Sequence, residues 1–325
     1  MSLRLRRLAL SVLMSLALPG LSGGAAPARA AELVVGVRAD ARPFSFRASA
    51  PVFADPAAGG PLRAAGYDGY MVRVCDGVLA EMRRSQGFEV VPRLVDAASR
   101  FELLRAGEID ILCDPATITR ARLDEHLASG PIYLSGITFA SRPSVPRNPC
   151  RTLVGFVAST TAEAEGLGAV LRAGEWPAFR DILIHFANND EAWRSAEPAC
   201  PQQEGRAQPL RAFPTHDALA EAFCNDEVIY YVGDIEIVTA VLGAQPDCRW
   251  RDALDTYTDD RYAIFLRGRD VAPEKAALLL EFLGTLSRRT LLRPSLLDEA
   301  FAGTFPGYRP SRKLSLFFWS LRGRE

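Results

Sequence analysis

The sequence predicts an α/β protein in two domains, each a mainly parallel sheet with helices packed on it. Three observations carry this. Short apolar runs alternate with helical-period segments between Leu33 and Leu286, a proline-containing stretch without periodicity (SRPSVPRN, 141–148) divides that alternation, and 325 residues suffice for two cores. Apolar content of 48% and charged content of 24% fit a soluble globular chain. The formal net charge of −1 and the lack of a long basic run exclude an electrostatic footprint for nucleic acid.

Residues 1–30 stand apart. Arg4, Arg6 and Arg7 form a basic start, Leu8 to Leu21 an apolar centre broken by Pro19, and Ala28-Arg29-Ala30 a small-x-small cleavage site, as in a secretory signal peptide. The apolar run is short for a membrane span, and no cysteine near the cleavage site suggests a lipid anchor. Since residues 1–30 hold four arginines and no acid, the mature chain is expected to carry −5. All six cysteines fall in the mature part, and an even count in an exported chain points to three disulfides. Six cysteines allow 15 pairings, among which Cys75–Cys113, Cys150–Cys200 and Cys224–Cys248 are preferred. No CxxC occurs and the three histidines are scattered, so no metal is expected.

In chain order, Leu33–Val37 is a buried strand, followed by the loop RADARPFSF (38–46) and an Ala/Pro/Gly-rich insertion at 47–66. A helix over about Met71–Met82 and a strand over Glu89–Leu94 come next. Ser99–Arg122 (SRFELLRAGEIDILCDPATITRAR) then reads as helix, turn, buried strand Ile109–Cys113, and a polar loop opening another helix. Ser99 with Glu102 forms a capping box, and Gly107 stops the first helix. Ile132–Ala140 continues as an extended apolar segment.

After the break, Leu153–Val157 is a strand leading into a second capping box, Thr160 with Glu163. Ile182–His185, a helix near Asn189–Ser195, a loop insertion at 196–209, Leu210–Phe213, a helix from His216, Val228–Val232 and a helix from Ile235 follow. The strand Tyr262–Leu266 and the helices Glu274–Leu286 and Ser295–Phe301 are best used by returning the chain to the first domain. The tail KLSLFFWSL (313–321) is apolar enough to need a partner surface, for which the first domain is preferred over a membrane.

In such sheets, ligands sit where strands end and helices begin. At those points the ordered blocks VGVRADARPFSF, SRFELLRAGEIDILCDPATITRAR, STTAEA, THDALAEAF and YYVGDIEIV resemble the periplasmic solute-binding proteins of the polar amino-acid class, above all the glutamate/aspartate-binding branch. The resemblance covers about residues 32–305. It implies the type II two-lobed periplasmic-binding-protein fold, each lobe a mainly parallel sheet flanked by helices, with two crossover hinge strands. Lobe 1 would hold 32–140 and 258–325, and lobe 2 145–255. It further implies a monomeric, periplasmic ligand carrier that serves the separate membrane permease subunits of an ABC transporter, without a cofactor.

Carried over residue by residue, the resemblance makes Arg122 the clamp for the ligand α-carboxylate, a role suited to a planar guanidinium. Thr117 would contact the ligand through hydroxyl and N–H, and Pro115 through its carbonyl. Asp234 would meet the α-ammonium, although an aspartate before IEIV also reads as a helix N-cap. Thr160 and Thr161 match a lobe 2 loop that meets the carboxylate at a helix start. Ser159 stands where the family usually has glycine.

Arg38, Arg100 and His216 match positions that contact an acidic side chain. Arg38, directly after a buried strand, needs a partner or an outlet. If Arg38 and Arg100 face the ligand unpaired, a neutral side chain would leave two charges uncompensated, on the order of a hundredfold in affinity. Three departures stand against this branch: Ala97 replaces a hydroxyl, Tyr70 replaces an aspartate, and the two insertions are unusual. Enzymes of the same fold, dehydratases among them, and stand-alone sensors are the alternatives. Neither a P-loop, GxSxG nor HExxH is present.

Overall fold

A computed structural model describes residues 31–48, 60–143, 153–177, 210–253, 255–292 and 295–322. The segment 1–30, residues 49–59 of the first insertion, Cys150, Cys200, Ile182–His185, the helix near Asn189–Ser195 and the loop 196–209 lie outside these residues.

Fourteen strands are described: β1 (Ala31–Val37), β2 (Asp40–Ala41), β3 (Ser45–Arg47), β4 (Tyr67–Asp68), β5 (Phe88–Leu94), β6 (Ile111–Thr117), β7 (Leu127–Ala128), β8 (Tyr133–Ser135), β9 (Ile137–Ser141), β10 (Val154–Val157), β11 (Leu210–Phe213), β12 (Tyr230–Asp234), β13 (Arg251–Asp252) and β14 (Asp260–Leu266). They form a first sheet in the order β5-β1-β6-β14-β7, with β8 also on β14, a second in the order β11-β10-β12-β9-β13, and a small β2-β3-β4 sheet. Parallel pairing holds for β5-β1-β6 and for β11-β10-β12. The expected mainly parallel sheets are therefore mixed, because β14 and β9 run antiparallel to their neighbours. Both strands adjoin the connections between the sheets and enter from the opposite end.

The chain passes from β8 through Gly136 to β9, and returns between β13 and β14. The two crossings touch: Ile137 N–H donates to Thr258 Oγ1 at 2.8 Å and Tyr257 N–H to the Ile137 carbonyl at 2.7 Å. A Cβ on Gly136 would lie 2.3 Å from the Thr258 carbonyl, so only glycine lets the backbones approach this closely.

Apolar spacing explains the packing. The helix Tyr70–Ser85 buries Tyr70, Met71, Val74, Cys75, Val78, Leu79 and Met82, one face at helical period. The helix Arg100–Ala106 ends at Gly107, whose φ of 72° is left-handed. Its start differs from the expected capping box: Ser99 N–H and Oγ both donate to Asp96 Oδ1 at 2.7 Å. The strand expected at Ile109–Cys113 runs instead to Thr117, through Pro115. Proline is tolerated because the β14 register shifts between Ala263 and Phe265, leaving no ladder bond for it to donate.

Cys75–Cys113 and Cys224–Cys248 are disulfides, as preferred, and Cys150 with Cys200 lies outside the described residues. Closing a loop of 38 residues is worth about 4 kcal/mol in the chain-entropy account. The bond also ties β6 to the helix Tyr70–Ser85, one residue before Asp114. The tail is a helix, Arg312–Leu321, that buries Leu314 and Phe318 on the first lobe, with the Phe318 ring 6.3 Å from Tyr133. Among the described residues no helix is long and apolar enough to cross a membrane.

Candidate functional site

Charged and hydroxyl side chains converge between the two sheets, at the C-terminal ends of β1, β6, β10, β11 and β12. Arg38 follows β1, Thr117 ends β6, residues 158–161 follow β10, His216 follows β11, and Asp234 ends β12. Strand ends from both sheets meet here because the two paired crossings bring them together.

The three expected arginines differ in their partners. Arg38, 1% exposed, donates from Nε and Nη2 to Asp40 Oδ1 and Oδ2 at 2.8 and 2.7 Å, a two-pronged ion pair. Arg100 donates from Nη1 to Asp114 Oδ2 at 2.5 Å, both side chains being buried. Neither guanidinium is the unpaired group that selection of a distal carboxylate required. Arg122 is different. Its Nη1 donates to the Thr117 carbonyl at 2.7 Å and its guanidinium lies 4.5 Å from the Phe101 ring centre. Among the described residues no carboxylate forms an ion pair with it, and burial, then the like charge of Arg100, pushes it down to about 10.

Opposite lies a carboxylate group. Asp234 occupies the N-cap position of the helix Ile235–Gly243 but makes no side-chain cap there. Its Oδ1 instead accepts the Tyr262 hydroxyl at 2.5 Å, and burial holds its pKa above the ordinary value. Asp260, on β14, is 4% exposed and is pushed up to about 7, by burial first and then by the charge of Asp234. Glu236 accepts from Ser135 Oγ at 2.5 Å and Tyr133 Oη at 3.2 Å, and burial pushes it up to about 7.

The lobe 2 loop meets lobe 1 through Thr161, whose Oγ1 is 3.3 Å from Thr117 Oγ1. Thr160 does not join it by its side chain, since its hydroxyl donates to the Val157 carbonyl at 2.7 Å. Ser159 has φ 60°, the left-handed conformation that explains a glycine preference, and its N–H donates to Glu163 Oε2 at 2.7 Å. The glutamate half of the expected capping box thus caps one residue earlier. His216 is buried, with Nδ1 2.8 Å from the Tyr231 hydroxyl, and its N–H donates to Asp40 Oδ2 at 3.2 Å. Burial, then Arg38, pushes its imidazole down to about 3, so it stays neutral. Pro115 is buried within β6. Tyr70 fills the core beside Phe44 and Tyr133, with its hydroxyl on the Ile132 carbonyl at 2.8 Å.

Sequence reasoning did not identify Asp40, Asp114, Asp260 or Tyr262. Asp40 had a signal: two residues beyond Arg38 in an extended chain lies on the same side. A separate cavity of about 370 Å³ is bordered by Ile132, Leu283, Leu286 and Leu321, with no charged group among its described lining residues.

Most of the chain, residues 33–278, fits the model of bacterial extracellular solute-binding proteins, family 3. The chain belongs to that family. No curated protein matches it. Among solved structures this family 3 chain is similar to an ancestral arginine-binding protein bound to glutamine, at 15% identity and TM-score 0.58, over 84% of this chain and 97% of the other. It is also similar to the arginine-, lysine-, histidine-binding protein ArtJ from Geobacillus stearothermophilus, at 16% identity and TM-score 0.57, over 87% and 99%. An ancestral amino acid-binding protein described as a precursor of cyclohexadienyl dehydratase matches at 17% identity and TM-score 0.55, over 84% and 95%. At these identities the likeness establishes the two-lobed fold of this family 3 protein.

Proposed function

We propose that this family 3 protein is the periplasmic substrate-binding component of an ABC-type amino-acid importer, exported by its first thirty residues and read by separate permease subunits. The observation that carries the ligand assignment is Arg122: of the three cleft arginines, it alone has no carboxylate partner among the described residues. A guanidinium held partly out of water without a counter-ion favours an anion there. The ligand carboxylate would lie on Arg122, near Thr117 and the Thr160–Thr161 N–H groups. The ammonium would face Asp234 and the Pro115 carbonyl.

The side chain would lie along the Arg38–Asp40 and Arg100–Asp114 pairs, with His216 behind Asp40. A glutamate or aspartate would have to displace one of those aspartates from its arginine, so a polar side chain without a negative charge suits the cleft better than the acidic one that the sequence resemblance suggests.

The test is thermal unfolding of ligand-free protein with each of the common amino acids. A saturating ligand at one hundred times its Kd adds about 2.7 kcal/mol of stability, a clear rise in Tm. If no amino acid raises Tm, the proposal is wrong.

A further inference from the structure

We propose that Asp260 is a specificity-determining residue that sets the charge of the ligand: with Asp234 it turns two carboxylates toward the ligand's cationic end, so the cleft prefers cationic and neutral amino acids over anionic ones. The inference rests on the amino-acid reading above. Asp260 and Tyr262 stand two residues apart on β14 and so point to the same side, and the Tyr262 hydroxyl reaches Asp234. Asp260 Oδ2 is buried and has no hydrogen-bond partner among the described residues. A buried carboxylate oxygen without a donor is costly, and a ligand ammonium would satisfy it.

Charge counting supports the same conclusion. Arg38 is neutralised by Asp40 and Arg100 by Asp114, which leaves Arg122 against Asp234, Asp260 and Glu165. The groups that face Asp260 are Asp234 at the end of β12, Glu165 on the helical turn Ala162–Gly166, Arg122 on the helix Arg120–Glu125, and the Thr258 hydroxyl on the crossing. Three of these four carry charge, two negative and one positive. With Asp260 itself, three carboxylates face one guanidinium, a surplus that a proton on Asp260 reduces. A ligand with a neutral side chain leaves that proton in place. A cationic side chain adds one positive charge to the cleft, which favours the ionised form of Asp260, and the proton leaves to solvent. A second ligand carboxylate only adds to the surplus.

The experiment is calorimetric titration of ligand-free protein near neutral pH with L-arginine, L-glutamine and L-glutamate, in two buffers of different ionisation enthalpy, for wild type and Asp260→Asn. Wild type is expected to bind arginine or glutamine at least about tenfold tighter than glutamate, with proton release on arginine binding. Asp260→Asn should reduce the arginine-to-glutamate preference about tenfold and abolish the proton release. Tighter glutamate binding by wild type, or wild-type arginine binding without proton release, would overturn the proposal even if Asp260→Asn failed to fold. Equal change for all three ligands in Asp260→Asn would assign the residue a structural role and would likewise overturn it. Should these and every other amino acid leave wild type unbound, the amino-acid function itself fails, an outcome distinct from any of these.

Discussion

Arg100 Nη1 lies 2.5 Å from Asp114 Oδ2, with 3% and 0% of the two side chains exposed. The pair joins the helix Arg100–Ala106 to the centre of β6, at the floor of the cleft. It converts an arginine that could have gripped an acidic ligand into a neutral, structural unit. In so small a dielectric each partner depends on the other for its charge.

Removing one partner should therefore be far worse than removing both. Asp114→Asn leaves a buried guanidinium without a counter-charge and should cost about 3–5 kcal/mol in urea unfolding. The double change Arg100→Met with Asp114→Leu should cost much less, since an apolar pair of similar volume replaces the ions. Asp114→Asn should also gain affinity for L-glutamate, whose distal carboxylate can take the place of Asp114. A single variant as stable as wild type would refute the interdependence.

Arg122→Ala should weaken every amino-acid ligand by roughly tenfold to a hundredfold, the loss of one charge-assisted carboxylate contact. Its effect on ligand-free stability should stay within about 1 kcal/mol, because its described contacts are the Thr117 carbonyl and the Phe101 ring face. Arg122→Lys should recover part of the affinity but not the two-pronged geometry. Calorimetry and thermal unfolding on the same samples separate the two effects, and a large loss of Tm would show that Arg122 is a structural residue.

Stability of the ligand-free protein should fall as pH rises from about 6.5 to 8. Asp260 and Glu236, both near 7 when folded against ordinary values of 3.8 and 4.5, hold protons that the unfolded chain has already released. Their contribution is complete below the unfolded values and is lost through the folded ones. His216 works the other way: the unfolded imidazole takes up a proton near 6.5 while the folded one does so only near 3, so it removes stability as pH falls below 6.5. Above 6.5 His216 no longer opposes the carboxyls. Glu236→Gln should flatten the slope, and a Tm that rises across this window would contradict the assignment.

Ser159→Gly should raise Tm, by relieving up to about 1 kcal/mol of left-handed strain at φ 60°. Ser159→Ala should give no such gain, because alanine keeps the Cβ. The two Tm values side by side decide the matter.

Much of this architecture can be read from local pattern. The strands Ala31–Val37 and Leu210–Phe213 and the helices beginning at His216 and Ile235 follow apolar spacing, which requires only that one face be buried. That the cysteines pair and that the apolar tail needs a covering surface follow from residue chemistry, whereas which cysteines pair and where the tail docks depend on which segments meet. The candidate residues also lie near strand ends, where an α/β sheet gathers them. What tertiary structure alone decided is the state of each charge. Arg100 and Arg122 have the same side chain in one stretch of sequence, yet one is neutralised by Asp114 and the other is not. Asp260 acquires its place only because β14 crosses back between the lobes to stand near Asp234 and Arg122. Burial periodicity is a local property of the chain, whereas an ion pair depends on which elements meet and at what distance, so the sequence by itself determined the scaffold and the positions, and the folded contacts decided which charges remain for a ligand.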